Sequence, residues 1–478
     1  MSQELATVPV DRVRGTTVEA LLRSRSGLVA STSCVVLGMP LYTSVNDRAL
    51  FGRWSPEYVV AMLLVTGVWL ASVVVAARTW RRQRTPSTPT IVLDAALACW
   101  GIAFLIGALD DPESAARLLD FKPFGSVAAV AVMLEWLAVV GVLAAVGLWL
   151  ARLLSPRWAN VALMLGSLVL VFVIGEGAAR LKAVIAPTVM GFPTYSLTIW
   201  ERRNIALNSL GYRDVEHAEP KPEGVRRLLV IGDSYAFGWG VARAGDRFGE
   251  RLATLLDSAT GTRWEAVNIS KSDRHTLQQG ELLQAGLRYH PDLVVLLYVF
   301  NDIDYLSASH GTKPLTPRNV LSEAPRNLLE RLHPLRLLYW NSYLAQGLYV
   351  RVRALSWRFT PYSPSRDLYA DSGALATHVR DLSLLVSEAR DRGTVMAIVP
   401  FEPAVVHNEN VRRRYDLFVT EARRRGLLVW SLRNAFGTRE HSSLIVSSLD
   451  THPNELAHGL AAEAVLSEAL GALSVAGK

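Results

Sequence analysis

Ser234, Asp450 and His452 are the residues whose types and spacing suit covalent chemistry. A serine hydroxyl is a poor nucleophile at neutral pH, so it needs a base to take its proton and a third group to orient that base. The Asp450-Thr451-His452 segment can supply both: the carboxylate can receive one ring N–H while the other ring nitrogen faces Ser234. The chemistry of such a set is acyl transfer through a serine ester. An apolar strand over 226–231 runs straight into Gly232-Asp233-Ser234, and Gly238 and Gly240 follow a tight turn. This predicts Ser234 at the strand's C-terminal end, where open α/β sheets place their chemistry. Pro453-Asn454 predicts a stiff loop that opens a final helix near 455–472.

Four segments, over roughly residues 204–470, together resemble the SGNH (GDSL-type) hydrolases. They are Asn208-Ser-Leu-Gly-Tyr-Arg-Asp214, Gly232-Asp-Ser-Tyr235, the run from Pro291 to Asn301-Asp302, and Asp450-x-His452-Pro-Asn454. The resemblance implies a three-layer α/β/α, flavodoxin-like domain with a mostly parallel sheet. It also implies Ser234 as nucleophile, His452 as base and Asp450 as its orienting acid. The oxyanion hole would comprise the N–H groups of Ser234 and Asp273 and the side chain of Asn301, with Gly232, Asp233 and Asp302 in support. Family members include lipases, carbohydrate acetylesterases and polysaccharide O-acetyltransferases, so water and a sugar hydroxyl both remain open as acceptor.

One block departs from the pattern. In Asn268-Ile-Ser-Lys-Ser-Asp273-Arg-His-Thr276-Leu-Gln278, Asp273 stands where the family usually has a glycine. The donor in question is a backbone N–H, which aspartate retains. A positive φ would strain a non-glycine residue, however, and the carboxylate would oppose a developing oxyanion. A weakened esterase, or a protein that binds an acylated glycan or an envelope-assembly partner without turnover, is therefore the alternative reading.

Strands are expected near 226–231, 265–269, 292–299, 394–400 and 428–432, with helices near 246–257, 276–289, 378–392 and 411–425. This alternation implies right-handed crossovers and a sheet covered on both faces. Residues 303–377 interrupt it with large apolar and basic residues, read either as a helix packed on the sheet edge or as a lid or membrane-facing helix. The connector at 181–225, with Pro187, Pro193, Pro220 and Pro222, is expected to be a surface strap more than a helix.

The N-terminal third is a different object. Apolar runs near 27–45, 57–77, 91–109, 126–150 and 158–178 are each about the length of a membrane span. Arginines at 12, 14, 23 and 25, at 78, 81, 82 and 84, and at 152 and 157 alternate with the acidic loop of Asp110, Asp111, Glu113 and Asp120. By the positive-inside rule this predicts a cytoplasmic N-terminal segment (1–26), five spans (27–180), the connector, and an α/β domain (226–478) outside the cytoplasm. Asp94 and Glu135 fall within the runs and are read as a headgroup-level acid and a bundle hydrogen-bonding group.

The net charge of +7 comes without a nucleic-acid motif. Both cysteines, Cys34 and Cys99, lie in proposed spans, and no Cys/His cluster has metal-ligand spacing, so neither a metal nor another cofactor is expected. The sequence thus reads as a membrane-anchored serine esterase whose partners are the bilayer and an acylated glycan or lipid.

Overall fold

The computed structural model describes residues 32–33, 88–110, 128–150, 153–189, 194–307, 339, 342–359 and 368–476. The chain divides into two compact units, Met1–Pro187 with Asn341–Leu344, and Thr188–Trp340 with Ala345–Lys478.

In the first unit, α1 (Thr88–Asp110), α2 (Ala128–Leu150) and α3 (Pro156–Ile185) coincide with the last three apolar runs. The runs at 27–45 and 57–77 lie outside the described residues, apart from Thr32 and Ser33. Helices α1 and α2 pack through small residues. Ala96 and Ala103 are buried on one, and Ala131, Ala138 and Ala145 on the other. A Cβ at Gly141 would lie 2.7 Å from the Ala96 Cβ, so the two backbones approach closely, as in membrane helix pairs. Asp94 and Glu135 each have a partner. The outward residues of α3 are apolar, Leu168, Val171 and Ile174 among them, the reverse of a soluble bundle.

Among the described residues, three helical stretches are long and apolar enough to cross a membrane: Ala129–Leu150, Asn160–Ile185 and Glu455–Ser474. The third belongs to the second unit. Its Ala457, Ala461, Ala462, Val465 and Ala469 are buried in that unit's core, which accounts for its apolar character without a bilayer.

The second unit is built on a four-stranded sheet of order β2-β1-β3-β4, from β1 (Val225–Gly232), β2 (Arg263–Ser270), β3 (Leu293–Tyr298) and β4 (Val395–Pro400). All pairings are parallel. The central strands are near-continuous apolar runs, as burial on both faces requires. The fifth expected strand, 428–432, is reduced to one bridge between Ile398 and Val429. The Leu432 N–H is instead bound by the Tyr415 hydroxyl at 2.6 Å, which also contacts the Ser431 hydroxyl, so side chains take over where the ladder would continue.

The connector also differs from a plain strap. Helix α3 runs on to Ile185, and α4 (Tyr195–Asn204) forms within the connector, its Thr194 cap accepting from the Leu197 N–H at 3.2 Å. Helices α5 (Ser234–Phe237), α6 (Phe248–Thr260), α7 (Thr276–Leu287), α8 (Tyr343–Phe359), α9 (Ser372–Asp391), α10 (Glu409–Arg424) and α11 (Glu455–Ala476) complete the described helices, with a hairpin of β5 (Ile445–Ser447) and β6 (Asp450–Pro453) before α11.

Two buried histidines tie this core together. On α11, the His458 Nδ1 accepts the Phe248 N–H at the start of α6, at 3.1 Å. On α9, the His378 Nε2 lies 2.8 Å from the Tyr298 hydroxyl. Burial lowers both pKa values to about 3, with the nearby Arg247 and Arg213 charges adding to the effect at His458. In the unfolded chain both would titrate near 6.5, so between about 6.5 and 3 the unfolded state holds protons that the folded state refuses. Stability therefore falls as pH drops through this window, by about 1.4 kcal/mol per pH unit for each histidine. In the full-length protein, His458→Gln should reduce the loss of thermal midpoint between about pH 7.5 and about pH 5, on either side of that ~6.5. An undiminished loss in this variant would show that His458 is protonated in the folded state.

Candidate active site

Register determines which residues meet. Gly232 pairs with Ser270 of β2 and with Leu297 of β3. Ser234 follows Gly232 by two residues, Asp273 follows Ser270 by three, and Asn301 follows Leu297 by four. All three therefore lie on loops leaving the same C-terminal edge of adjacent strands. The turn into Ser234 requires Gly232: its φ is +153°, and a Cβ would lie 2.8 Å from both the Ala236 Cβ and the Leu297 carbonyl oxygen. Asp233 caps the short α5, its Oδ1 accepting from the Tyr235 N–H at 3.0 Å. Burial raises the Asp233 carboxyl pKa, against the opposing pull of the Tyr235 N–H and of His452.

The Ser234 Oγ lies 2.9 Å from the His452 Nε2. The His452 Nδ1 is hydrogen-bonded to the Asp450 Oδ1, which also accepts the His452 backbone N–H at 3.0 Å. With Nδ1–H donating to Asp450, Nε2 is left to accept the serine proton. Asp450 is buried, and its backbone N–H is held by the Ser447 hydroxyl at 3.1 Å. The acid and base thus sit on a short strand, β6, where the sequence suggested a loop. Tyr235 and Trp239 flank the imidazole, with ring centroids 5.3 and 6.4 Å from it.

Asp273 has φ +60°, the left-handed conformation that a glycine at this position would adopt freely. Asn301 is exposed at the edge of β3. Among the described residues, neither the Asp273 N–H nor the Asn301 side-chain amide has a hydrogen-bond partner. Asp302 turns inward: it accepts from the Gln279 side chain at 2.9 Å and the Val299 N–H at 3.0 Å, and burial raises its carboxyl pKa well above the usual range. It shapes the Asn301 turn from beneath.

Several supporting groups were not evident from sequence. Arg213 lies in the Asn208–Asp214 block, yet nothing there announces that its guanidinium is buried. It donates to the carbonyls of Gly238 (2.6 Å), Val241 (2.7 Å), Asn204 (3.0 Å), Ala242 (3.2 Å) and Phe237 (3.3 Å). Burial lowers its pKa to about 10, leaving it charged at neutral pH. Trp239, between two turn glycines, packs with Val189, Leu197, Trp200 and Val446, so connector residues wall the loop beside His452. A groove lined by Asp214, His217, Arg247, Glu250, Trp264 and Glu265 includes none of the catalytic candidates. Among the described residues no cluster of three His, Cys, Asp or Glu side chains is placed to hold a metal.

A parallel α/β sheet with serine, histidine and aspartate joined in sequence at its C-terminal edge is the arrangement of a serine hydrolase fold. Residues 230–460 match the model of the GDSL-like Lipase/Acylhydrolase family. Among solved structures, the lipase Lip_vut3 from a goat rumen metagenome is similar at 12% identity and TM-score 0.33, covering 52% of this chain and 98% of its own. A putative lipolytic protein of the G-D-S-L family from Desulfitobacterium hafniense DCB-2 is similar at 12% identity and TM-score 0.29, covering 50% and 98%. No curated protein sequence matches the chain.

Two contacts hold the histidine hairpin against the nucleophile loop. A Cβ at Gly240, where φ is +85°, would lie 2.2 Å from the Val446 Cγ2, and the Ala242 N–H donates to Glu455 at 3.1 Å. Gly240→Ala should push the hairpin away and slow fluorophosphonate labelling of Ser234, on the order of 100-fold for a displacement near 1 Å. Adding Val446→Ala should restore part of the rate. Without such recovery, Gly240 would matter for its φ alone.

Proposed function

We propose that the protein is a membrane-anchored serine esterase acting outside the cytoplasm on O-acyl esters, acetyl above all, of cell-envelope glycans or lipids. The observation that carries this reading is the Ser234–His452–Asp450 hydrogen-bond sequence. His452 takes the Ser234 proton as the hydroxyl attacks the ester carbonyl. Asp450 orients the imidazole and stabilises its cationic form. The tetrahedral oxyanion is held by the N–H groups of Ser234 and Asp273 and by the Asn301 amide. His452 then returns its proton to the departing alkoxide, and water attacks the acyl-serine with the same histidine as base.

Asp273 supports turnover more than the binding-only alternative. Its φ already gives the backbone a glycine-like conformation, and among the described residues its N–H has no competing partner. Holding an aspartate there costs about 1 kcal/mol. The envelope location is supported by the apolar helices of the first unit and by the arginine pattern of the loops, which under the positive-inside rule favours residues 1–26 in the cytoplasm and residues 226–478 outside.

The test uses full-length protein in detergent with p-nitrophenyl acetate, following nitrophenol release and intact mass. Serine-dependent turnover, a transient acetyl adduct and loss of both in Ser234→Ala are expected. Acceptor sugars that divert the acetyl group from water would make the protein an O-acyltransferase using the same site. A folded protein with neither release nor adduct would leave the binding reading. Asp273→Gly should change the rate by less than about tenfold, since the backbone donor remains, whereas losing a donor costs roughly 100- to 1,000-fold. A large gain would show that the carboxylate holds the native site back.

A further inference from the structure

Helix α8 carries an apolar stripe that is exposed among the described residues. Leu344, Leu348, Val352 and Leu355, spaced by four, four and three residues, share one face and are 37%, 64%, 45% and 51% exposed. The opposite face, with Tyr343, Gln346, Val350 and Arg353, is buried. The helix contains three arginines and no acidic residue. Arg351 lies exposed at the edge of the stripe, where a long side chain can reach headgroups while its stem stays among apolar groups.

The start of α8 lies at a defined depth along α3. Residues 158–175 of α3 carry no charge, a rise of roughly 27 Å and close to a hydrocarbon core. Glu176 ends that stretch. Its carboxylate accepts the Ser342 hydroxyl at 2.7 Å and the N–H groups of Tyr343 and Leu344 at 2.8 and 3.1 Å, so a residue of α3 caps the first turn of α8. Arg180, paired with Glu176 at 3.1 Å, lies over the rings of Tyr343 (4.4 Å) and Trp136 (5.0 Å). An arginine among aromatic rings is the composition of a membrane–water boundary. Leu344, the first residue of the stripe, packs so close that a Cβ on Gly175 would lie 3.2 Å from its Cδ1.

We propose that α8 is an interfacial helix, lying along the bilayer surface with its Leu344–Leu348–Val352–Leu355 face among the acyl chains and Arg351, at the edge of that face, on anionic headgroups. The apolar stripe supplies burial and the exposed Arg351 supplies attraction to negative lipid, the two contributions that hold such helices at interfaces. This placement rests on the membrane anchoring of the first unit and is independent of the chemistry at Ser234.

The test uses full-length protein with Cys34 and Cys99 replaced by serine, in vesicles of phosphatidylcholine and phosphatidylglycerol. A bimane label is placed in turn by Leu348→Cys, Val352→Cys, Leu355→Cys and, on the exposed face of α6, Ser258→Cys. Lipids with doxyl groups on their acyl chains should quench the three stripe labels severalfold more than the Ser258 label, and aqueous iodide should do the reverse. Iodide quenching of the stripe equal to that at Ser258 would overturn the proposal, placing the face in water. Protection from both quenchers would also overturn it, because the face would then be covered by protein. The three stripe sites report separately, so one misfolded variant leaves two readings.

Discussion

The site depends on β1 being hydrogen-bonded on both sides by parallel strands. Parallel pairing aligns the C-terminal ends of neighbours, and here the ladders of β2 and β3 both reach Gly232. Three loops from distant parts of the sequence therefore begin at one level. Shifting a strand by one residue would also exchange its two faces, which the fully buried apolar runs of β1 and β3 resist less than an alternating strand would. The additional constraint is steric. With a side chain at 232, the turn would collide with both Ala236 and the Leu297 carbonyl, so the position where β1 ends and the nucleophile turn begins is fixed by the absence of a Cβ.

A register of strands cannot by itself place His452, which arrives on a separate two-stranded hairpin outside the main sheet. Its position comes from contacts between irregular segments. Val446 of the hairpin fills the space above Gly240, Glu455 binds the Ala242 N–H, and Asn454 binds back to the Ser443 and Ile445 carbonyls. Arg213 then stiffens the 237–242 loop from the connector side. The catalytic distance of 2.9 Å is thus held by apolar and polar contacts between irregular segments, and the sheet supplies only one of its two ends.

The legible part of the sequence follows from this division. Apolar runs revealed the four strands, and the two-residue spacing of Asp450 and His452 revealed their mutual hydrogen bond, because both are local patterns. The positive φ at Asp273 was anticipated as a strain, since the turn geometry demands it whichever residue is present. What sequence did not disclose was non-local. The strand expected at 428–432 has the right composition but loses its ladder to the Tyr415 hydroxyl on α10. Helix α4 is hidden within a proline-rich connector whose only local sign is the Thr194 cap. Arg213 looks like any surface arginine, and its burial depends on carbonyls that lie 24 to 29 residues further along.

Two buried charges, Arg213 and Glu176, share a physical task. Arg213 serves main-chain carbonyls, and Glu176 serves the first N–H groups of α8. Each binds backbone that has left, or not yet entered, regular structure and so lacks a ladder or helical partner. A neutral side chain offers fewer or weaker bonds there, whereas a planar guanidinium or carboxylate can satisfy several groups at once. Desolvating such a charge is costly unless its hydrogen-bonding capacity is met, so each of these segments is held to the conformation that meets it. Removing Arg213 would therefore leave several inward-facing carbonyls without a donor around the turn that presents Ser234, a cost set by the backbone more than by the lost charge.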